Sequence, residues 1–185
     1  MNLQNWVASF SGCDGGDLIN SDIWVVGIEW GFGNYKRDSI STHEGNIRDY
    51  HTKDLPVDIQ KGYKAPHAGH YSLKDNLDYG FGLNTAKLIC NIKGVEDEPV
   101  SKAIENIPDS EVFKLNLYPI AFPNANENQW LKYDMQAVTG ITSKKDYMDY
   151  CKTHRFPFFK QQAELHKPRL ILCMGVSYVR EFYNC

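Results

Sequence analysis

Glu29 is the residue with the clearest chemical opportunity. It is the single acid in the run Ile23-Trp24-Val25-Val26-Gly27-Ile28-Glu29-Trp30-Gly31-Phe32-Gly33 and stands between two large apolar side chains. A carboxyl hemmed in this way is partly desolvated, which raises its pKa, and a carboxylate so poised can act as a general base. The plainer role for an acid at such a turn is to cap the next helix. Two histidines, His67 and His70, lie close enough in Gly62-Tyr63-Lys64-Ala65-Pro66-His67-Ala68-Gly69-His70-Tyr71 to be paired metal ligands. No His-Glu-x-x-His arrangement supports them, and histidines on a surface or against a substrate are the alternative. Two aspartates in Gly12-Cys13-Asp14-Gly15-Gly16-Asp17 read as a turn, because a calcium loop needs more oxygen ligands at defined spacing.

The elements that must position these groups follow from apolar patterning. Ile23 to Val26 is a continuous β-branched and aromatic run, suited to a strand buried on both faces of a parallel sheet, and its glycine-broken end predicts a loop at Glu29. In open α/β sheets ligands sit outside the carboxyl ends of strands. Val112-Phe113-Lys114-Leu115-Asn116-Leu117-Tyr118-Pro119 predicts a second strand, with an amide near its end and a proline stop. Pro168 to Ser177 predicts a third strand, a glycine turn at Gly175 and a helix. Periodicity predicts helices over Leu3–Phe10, Leu83–Ile92, Val100–Ile107, Lys144–Tyr150 and Phe156–Leu165. From Asn34 to Asp75 the chain is polar with little periodicity and reads as a long loop or insertion. The expected fold is one α/β domain over residues 1–185. It is a three-layer sandwich with a central parallel sheet of about three to four strands and helices on both faces.

With these stretches in place, the chain resembles the uracil-DNA glycosylase superfamily. The superfamily's first motif is a strand followed by Gly-x-Asp/Asn-Pro-Gly/Tyr. Gly27-Ile28-Glu29-Trp30-Gly31 is similar to it, with Glu29 at the water-activating position and Trp30 where proline is usual. Asn116 matches the asparagine that reads the edge of the flipped base. Gly69-His70-Tyr71 is similar to the Gly-His-x-aromatic stretch of mismatch-type members, one residue shorter. That makes Tyr71 the stacking candidate, with Phe81 in reserve, and a base stacked on an aromatic ring is worth about 1–3 kcal/mol. The third strand with Gly175 resembles the apolar run and glycine before the superfamily's last helix. The usual His-Pro-Ser motif, whose histidine stabilises the departing uracil, has no counterpart before Cys185. The expectation is a divergent member or an N-terminal portion of one.

The resemblance implies a DNA glycosylase-like hydrolase. A uracil-type or damaged base is flipped into a pocket and its N-glycosidic bond is cleaved, with Glu29 catalytic. Gly27, Ile28, Trp30, Gly31, Tyr71 and Asn116 then form the substrate site, DNA is the partner, and neither metal nor organic cofactor is needed. One alternative is a catalytically inactive module of the same fold that binds nucleic acid or a nucleotide. A second is a metal-assisted hydrolase built on His67, His70 and an aspartate.

Composition bounds these readings. The 185 residues carry a net charge of −3 and a pI near 6.1, which argues against strong non-specific nucleic-acid binding. The richest basic stretch, Lys144 to Arg169, reads as a solvated helix face or a local basic groove. At 42% hydrophobic residues the chain can build a core, and no apolar run approaches the roughly 20 residues of a membrane span. The five cysteines are odd in number and form no Cys-x-x-Cys pair, so neither a disulfide framework nor a zinc ribbon is expected. The close cysteine pair of the superfamily's iron–sulfur branches is also missing, and no cluster is expected. Cys173, inside a strand, reads as a small buried hydrophobe. No basic residue precedes Lys36, so the charged region of a secretory signal is missing and a cytoplasmic location is expected.

Overall fold

The computed structural model describes residues 3–31, 47–62, 71–77, 80–95 and 99–185. Helix α1 (Leu3–Val7) leads into a short strand β1 (Gly15–Gly16) and then β2 (Ile23–Gly31). Residues 47–49 are helical and continue through a π-helical turn, Tyr50–Asp54, into α2 (Leu55–Lys61). Next come α3 (Gly80–Ile92), α4 (Val100–Ala103) and β3 (Val112–Phe122). Helices α5 (Asn128–Lys132), α6 (Met135–Thr139), α7 (Lys144–His154) and α8 (Phe156–His166) precede β4 (Leu170–Cys173). A 3-10 turn, Val176–Tyr178, then enters α9 (Val179–Asn184). Among the described residues, no helix is long and apolar enough to cross a membrane.

The four strands form an open mixed sheet in the order β1-β3-β2-β4. Strands β3, β2 and β4 run parallel, and β1 pairs antiparallel with β3 at its edge. The expectation of a wholly parallel sheet is corrected here. Gly15 and Gly16, read as a turn, extend along Lys114 and Phe113, where two residues without side chains can lie against the strand.

Strand β2 is central because both of its faces are apolar. Trp24 and Val26 join a cluster with Trp6, Ile59, Phe113, Tyr147 and Phe156, whereas Ile23 and Val25 join another with Ala86, Ile89, Ile104 and Val112. Strand alternation sends neighbouring residues to opposite faces, so one run of sequence feeds both clusters. Strand β4 lies at the other edge, and there Ile171 and Cys173 are exposed. The reading of Cys173 as buried fails for that reason: an apolar strand is covered on both sides only when it is not at the edge.

Two strand ends differ from expectation. The segment Gly27–Gly31 does not loop out but extends β2, with Glu29 opposite Tyr118 and Gly31 opposite Phe122. Pro119 does not stop β3. It lies where the β2–β3 register slips, a place where a residue lacking an N–H is tolerated in a sheet. The next N–H, of Ile120, leaves the ladder and donates to Tyr147 Oη at 3.0 Å.

The stretch read as a long loop over 34–75 contains the helical segment 47–61, which buries Ile47, Leu55 and Ile59 completely or nearly so. Its His51 is fully buried among the rings of Tyr50, Phe122 and Tyr133, and its Nε2 lies 2.7 Å from the Ala121 carbonyl oxygen. Among the described residues its Nδ1 has no partner. Burial outweighs the Ala121 hydrogen bond and pushes the imidazole from its ordinary 6.5 down to about 4. A base whose folded pKa is depressed takes up its proton more readily when unfolded. Its neutral form therefore supports the fold above about pH 6.5, and that support drains away as the pH falls towards about 4. We expect roughly 2–3 kcal/mol of acid destabilisation from this residue. Urea midpoints of the wild type and His51→Gln across that range check it: the variant's profile should be flatter, and parallel profiles would refute the assignment.

Candidate functional site

The three parallel strands run β3-β2-β4 in space but β2, β3, β4 along the chain. The path thus reverses direction between β2 and β4. In open α/β sheets a crevice opens at such a point, beyond the carboxyl ends of the two strands. Strand β4 pairs with β2 only as far as Cys173 opposite Val26, and the Met174 N–H makes the last bond, to the Val26 carbonyl at 2.9 Å. Chain turning at Gly175 lies against Ile28. Gly27 to Gly31 thus project past β4, and Glu29 stands at the end of the central strand beside this switch point.

The Glu29 side chain is 9% exposed and the Lys144 side chain 3%. Lys144 Nζ lies 2.9 Å from one Glu29 carboxylate oxygen and 3.2 Å from the other. The same ammonium sits 4.5 Å from the centroid of the Phe122 ring. Burial raises the Glu29 pKa above its ordinary value, and the Lys144 charge opposes the shift. Tyr178, half-buried in the turn after β4, is close enough to Glu29 for the carboxylate to raise the phenol's pKa, behind the larger effect of burial. The site therefore combines a desolvated carboxylate, one cation that touches it and a neutral phenol.

Helix α7 delivers Lys144 for local reasons. Ser143 caps the helix: its Oγ accepts from the Asp146 N–H at 3.0 Å and donates to the Asp146 carboxylate at 2.7 Å. This reciprocal cap fixes where the helix begins and places Lys144 in its first turn. A cation there opposes the helix dipole, so the position is satisfied by its carboxylate partner rather than by its own helix.

Gly27 and Asn116 are direct partners on adjacent strands. A Cβ on Gly27 would come within 2.3 Å of Asn116 Oδ1, so only glycine leaves room for the amide across β2. Asn116 is 2% exposed, and its Nδ2 donates to the Gly12 carbonyl at 2.9 Å. Gly27 and Asn116 thus pair in the middle of β2 and β3, not at the end of the second strand where the amide was expected, because β3 runs on through Pro119; Glu29 lies two residues further along β2, opposite Tyr118. Ile28 packs against the larger core cluster, and Gly31 is exposed opposite Phe122. The side chain of Trp30 lies outside the described residues.

Tyr71 is placed differently. It is 4% exposed, belongs to the cluster with Val25 and Ile89, and among the described residues its Oη has no partner. Lys114 Nζ lies 5.1 Å from its ring centroid and 5.1 Å from that of Phe81, and the same ammonium pairs with Asp14. Lys114 precedes Asn116 by two positions on β3, so Tyr71 stands nearer the amino end of the strand than Glu29 does.

His67 and His70 lie outside the described residues. Among the described residues, no three His, Cys, Asp or Glu side chains are grouped to hold a metal ion. The residues sequence reading missed are Lys144, Phe122, Tyr178 and Gly12. Lys144 stood in the basic stretch with no local sign of its partner, which is 115 positions away. The only available hint was the Ser-x-x-Asp cap beginning at Ser143. Comparison with family models, with curated proteins and with solved structures found no match to this chain.

Proposed function

We propose that this chain is a hydrolase of N-glycosidic bonds of the uracil-DNA glycosylase type, on a three-layer α/β scaffold. The observation that carries the reading is the place of Glu29: a desolvated carboxylate near the carboxyl end of the central strand, beside the switch point, two residues beyond the Gly27–Asn116 pair. A uracil-type or damaged base leaves the duplex or single strand and enters the crevice. The Asn116 amide pairs with its edge; Tyr71, buried with Val25 and Ile89 nearer the amino end of β3, stands away from this crevice and is not assigned the stacking role. The bond between the sugar C1′ and the base nitrogen breaks, its electron pair leaves with the base, and positive charge builds on the sugar as in other glycoside hydrolyses. Ionised Glu29 stabilises that charge and orients a water, whose oxygen bonds to C1′ while its proton passes to the carboxylate. The departing base anion takes a proton from solvent.

Single-turnover release of uracil and hypoxanthine from single- and double-stranded DNA tests this reading. The wild type should release base, and Glu29→Gln should slow release by about 10²–10⁴-fold, the usual contribution of a positioned acid–base group. Absence of release by the folded wild type, or full activity in the variant, refutes it. A second reading, a module that holds nucleic acid or a nucleotide without cutting it, is favoured by one feature. Glu29 is already charge-paired with Lys144, and the Asn116 amide is already engaged by Gly12. Retained binding of a uracil-containing oligonucleotide without base release would select that reading.

A further inference from the structure

We infer that Lys144 is a positioning residue of this site: it grips both oxygens of the Glu29 carboxylate and keeps that group charged and aimed where both side chains are almost withdrawn from water. The inference rests on the reading of Glu29 as the reacting carboxylate. Its physical basis is the geometry of the pair. One ammonium spans both oxygens at 2.9 and 3.2 Å, and both side chains are almost wholly withdrawn from water. The ammonium is pinned from a second direction by the Phe122 ring at 4.5 Å, a contact that favours a cation over a neutral group.

The surroundings leave Lys144 as the charge that governs Glu29 among the described residues. From the turn after β4 comes Tyr178, a phenol whose pKa is raised, so it carries no charge near neutrality. On α9, Glu181 faces Tyr178 and Lys152. On α7 itself, Asp146 is tied to Ser143, and Lys145 is exposed and paired with Asp149. Among the described residues, no second cation contacts the carboxylate. Without Lys144, burial would act on Glu29 unopposed and the carboxyl would take up a proton at a higher pH. A protonated Glu29 can neither stabilise a sugar cation nor accept a proton from water. Lys144 therefore extends the reaction's working range towards acid pH without contacting substrate.

The test uses carboxyl ¹³C chemical shifts of Glu29 in the full chain, titrated in wild type, Lys144→Met and Lys144→Arg, together with kcat and KM for base release against pH. In Lys144→Met the Glu29 midpoint should rise by at least about one pH unit, the smaller end of the effect of an opposite charge at this range. The acid limb of kcat should move with it while KM changes less. Lys144→Arg should keep both near wild type. An unmoved midpoint in folded Lys144→Met overturns the inference. If Lys144→Met does not fold, the double variant Glu29→Gln/Lys144→Met decides. Recovery of folding shows that Lys144 serves the Glu29 charge, and continued failure shows that it serves something else. The shifts report the pair whether or not base is released. Coupled titration without release would thus remove the glycosylase reading alone, and release with an uncoupled Glu29 would remove the role of Lys144 alone.

Discussion

Arg155→Met should unfold the protein or bring it close to unfolding. Arg155 is completely buried, and among the described residues it forms no ion pair with a carboxylate. Its donors are spent on main-chain carbonyls instead. Nη1 reaches Val7 and Ser9, each at 2.9 Å; Nη2 reaches Ser11 at 2.6 Å and Asn116 at 3.0 Å; and Nε also reaches Asn116, at 3.2 Å. Phe159 covers the guanidinium at 4.4 Å. The fork thus joins α1 and the turn after it to the outer side of β3, beyond the point where β1 stops pairing. Replacing a buried charge by a hydrophobe can be harmless when its partners are replaced as well. Here the partners are backbone carbonyls, which no substitution removes. Methionine fills much of the space but leaves four acceptors without this donor, at about 1–3 kcal/mol for each buried group left unsatisfied. The total rivals the roughly 5–15 kcal/mol that holds a domain together. Urea unfolding followed by circular dichroism reads the effect, and a midpoint equal to wild type would show that water replaces the guanidinium at no cost.

Gly12→Ala is the second large expectation. Gly12 has φ of 66°, in the left-handed region, and an added Cβ would stand 2.4 Å from the Pro119 carbonyl oxygen and 2.5 Å from its Cα. The opposing atoms are backbone, so no rotamer change relieves the contact. Left-handed backbone costs a non-glycine residue about 1–3 kcal/mol, and overpacking a filled site typically costs a further 1–3 kcal/mol or so. The loop must then move, and it carries the carbonyl that holds the Asn116 amide at 2.9 Å. The expected result is a loss of about 3 kcal/mol or more, read by urea unfolding. On the proposed glycosylase reading, base release should fall further than stability alone explains. A variant with wild-type stability and activity would show that the loop does not brace Asn116.

The basic stretch from Lys144 to Arg169 shows how composition misleads about a surface. Lys144 and Arg155 point inward, Lys145 and Lys152 both reach Asp149, and Arg169 lies 3.6 Å from Asp22. Lys160 and Lys167 remain exposed. The solvated-face reading holds for Lys145, Lys152, Lys160, Lys167 and Arg169 and fails for Lys144 and Arg155. Charge counts along a sequence do not reveal which side chains the fold withdraws from water or sets opposite a carboxylate.

The sequence by itself marked the three parallel strands and the longer helices. The predominantly apolar runs beginning at Ile23, Val112 and Leu170 mark strands, and helical periodicity marks α3, α7 and α8. It also marked Glu29 as an acid set among apolar neighbours, because that is a local property. Only the tertiary structure decided how far those elements run: β2 continues through its glycines and β3 through Pro119 because each has a neighbour that tolerates it. It likewise ordered 47–61 as helix, since Ile47, Leu55 and Ile59 find a core that their own polar surroundings do not announce. Lys144 meets Glu29, Gly12 meets Asn116 and Arg155 meets the amino-terminal carbonyls across 115, 104 and up to 148 positions. Such contacts depend on which strand lies beside which. Side-chain pattern sets an element's period and faces, whereas its partner is chosen by packing all the elements at once.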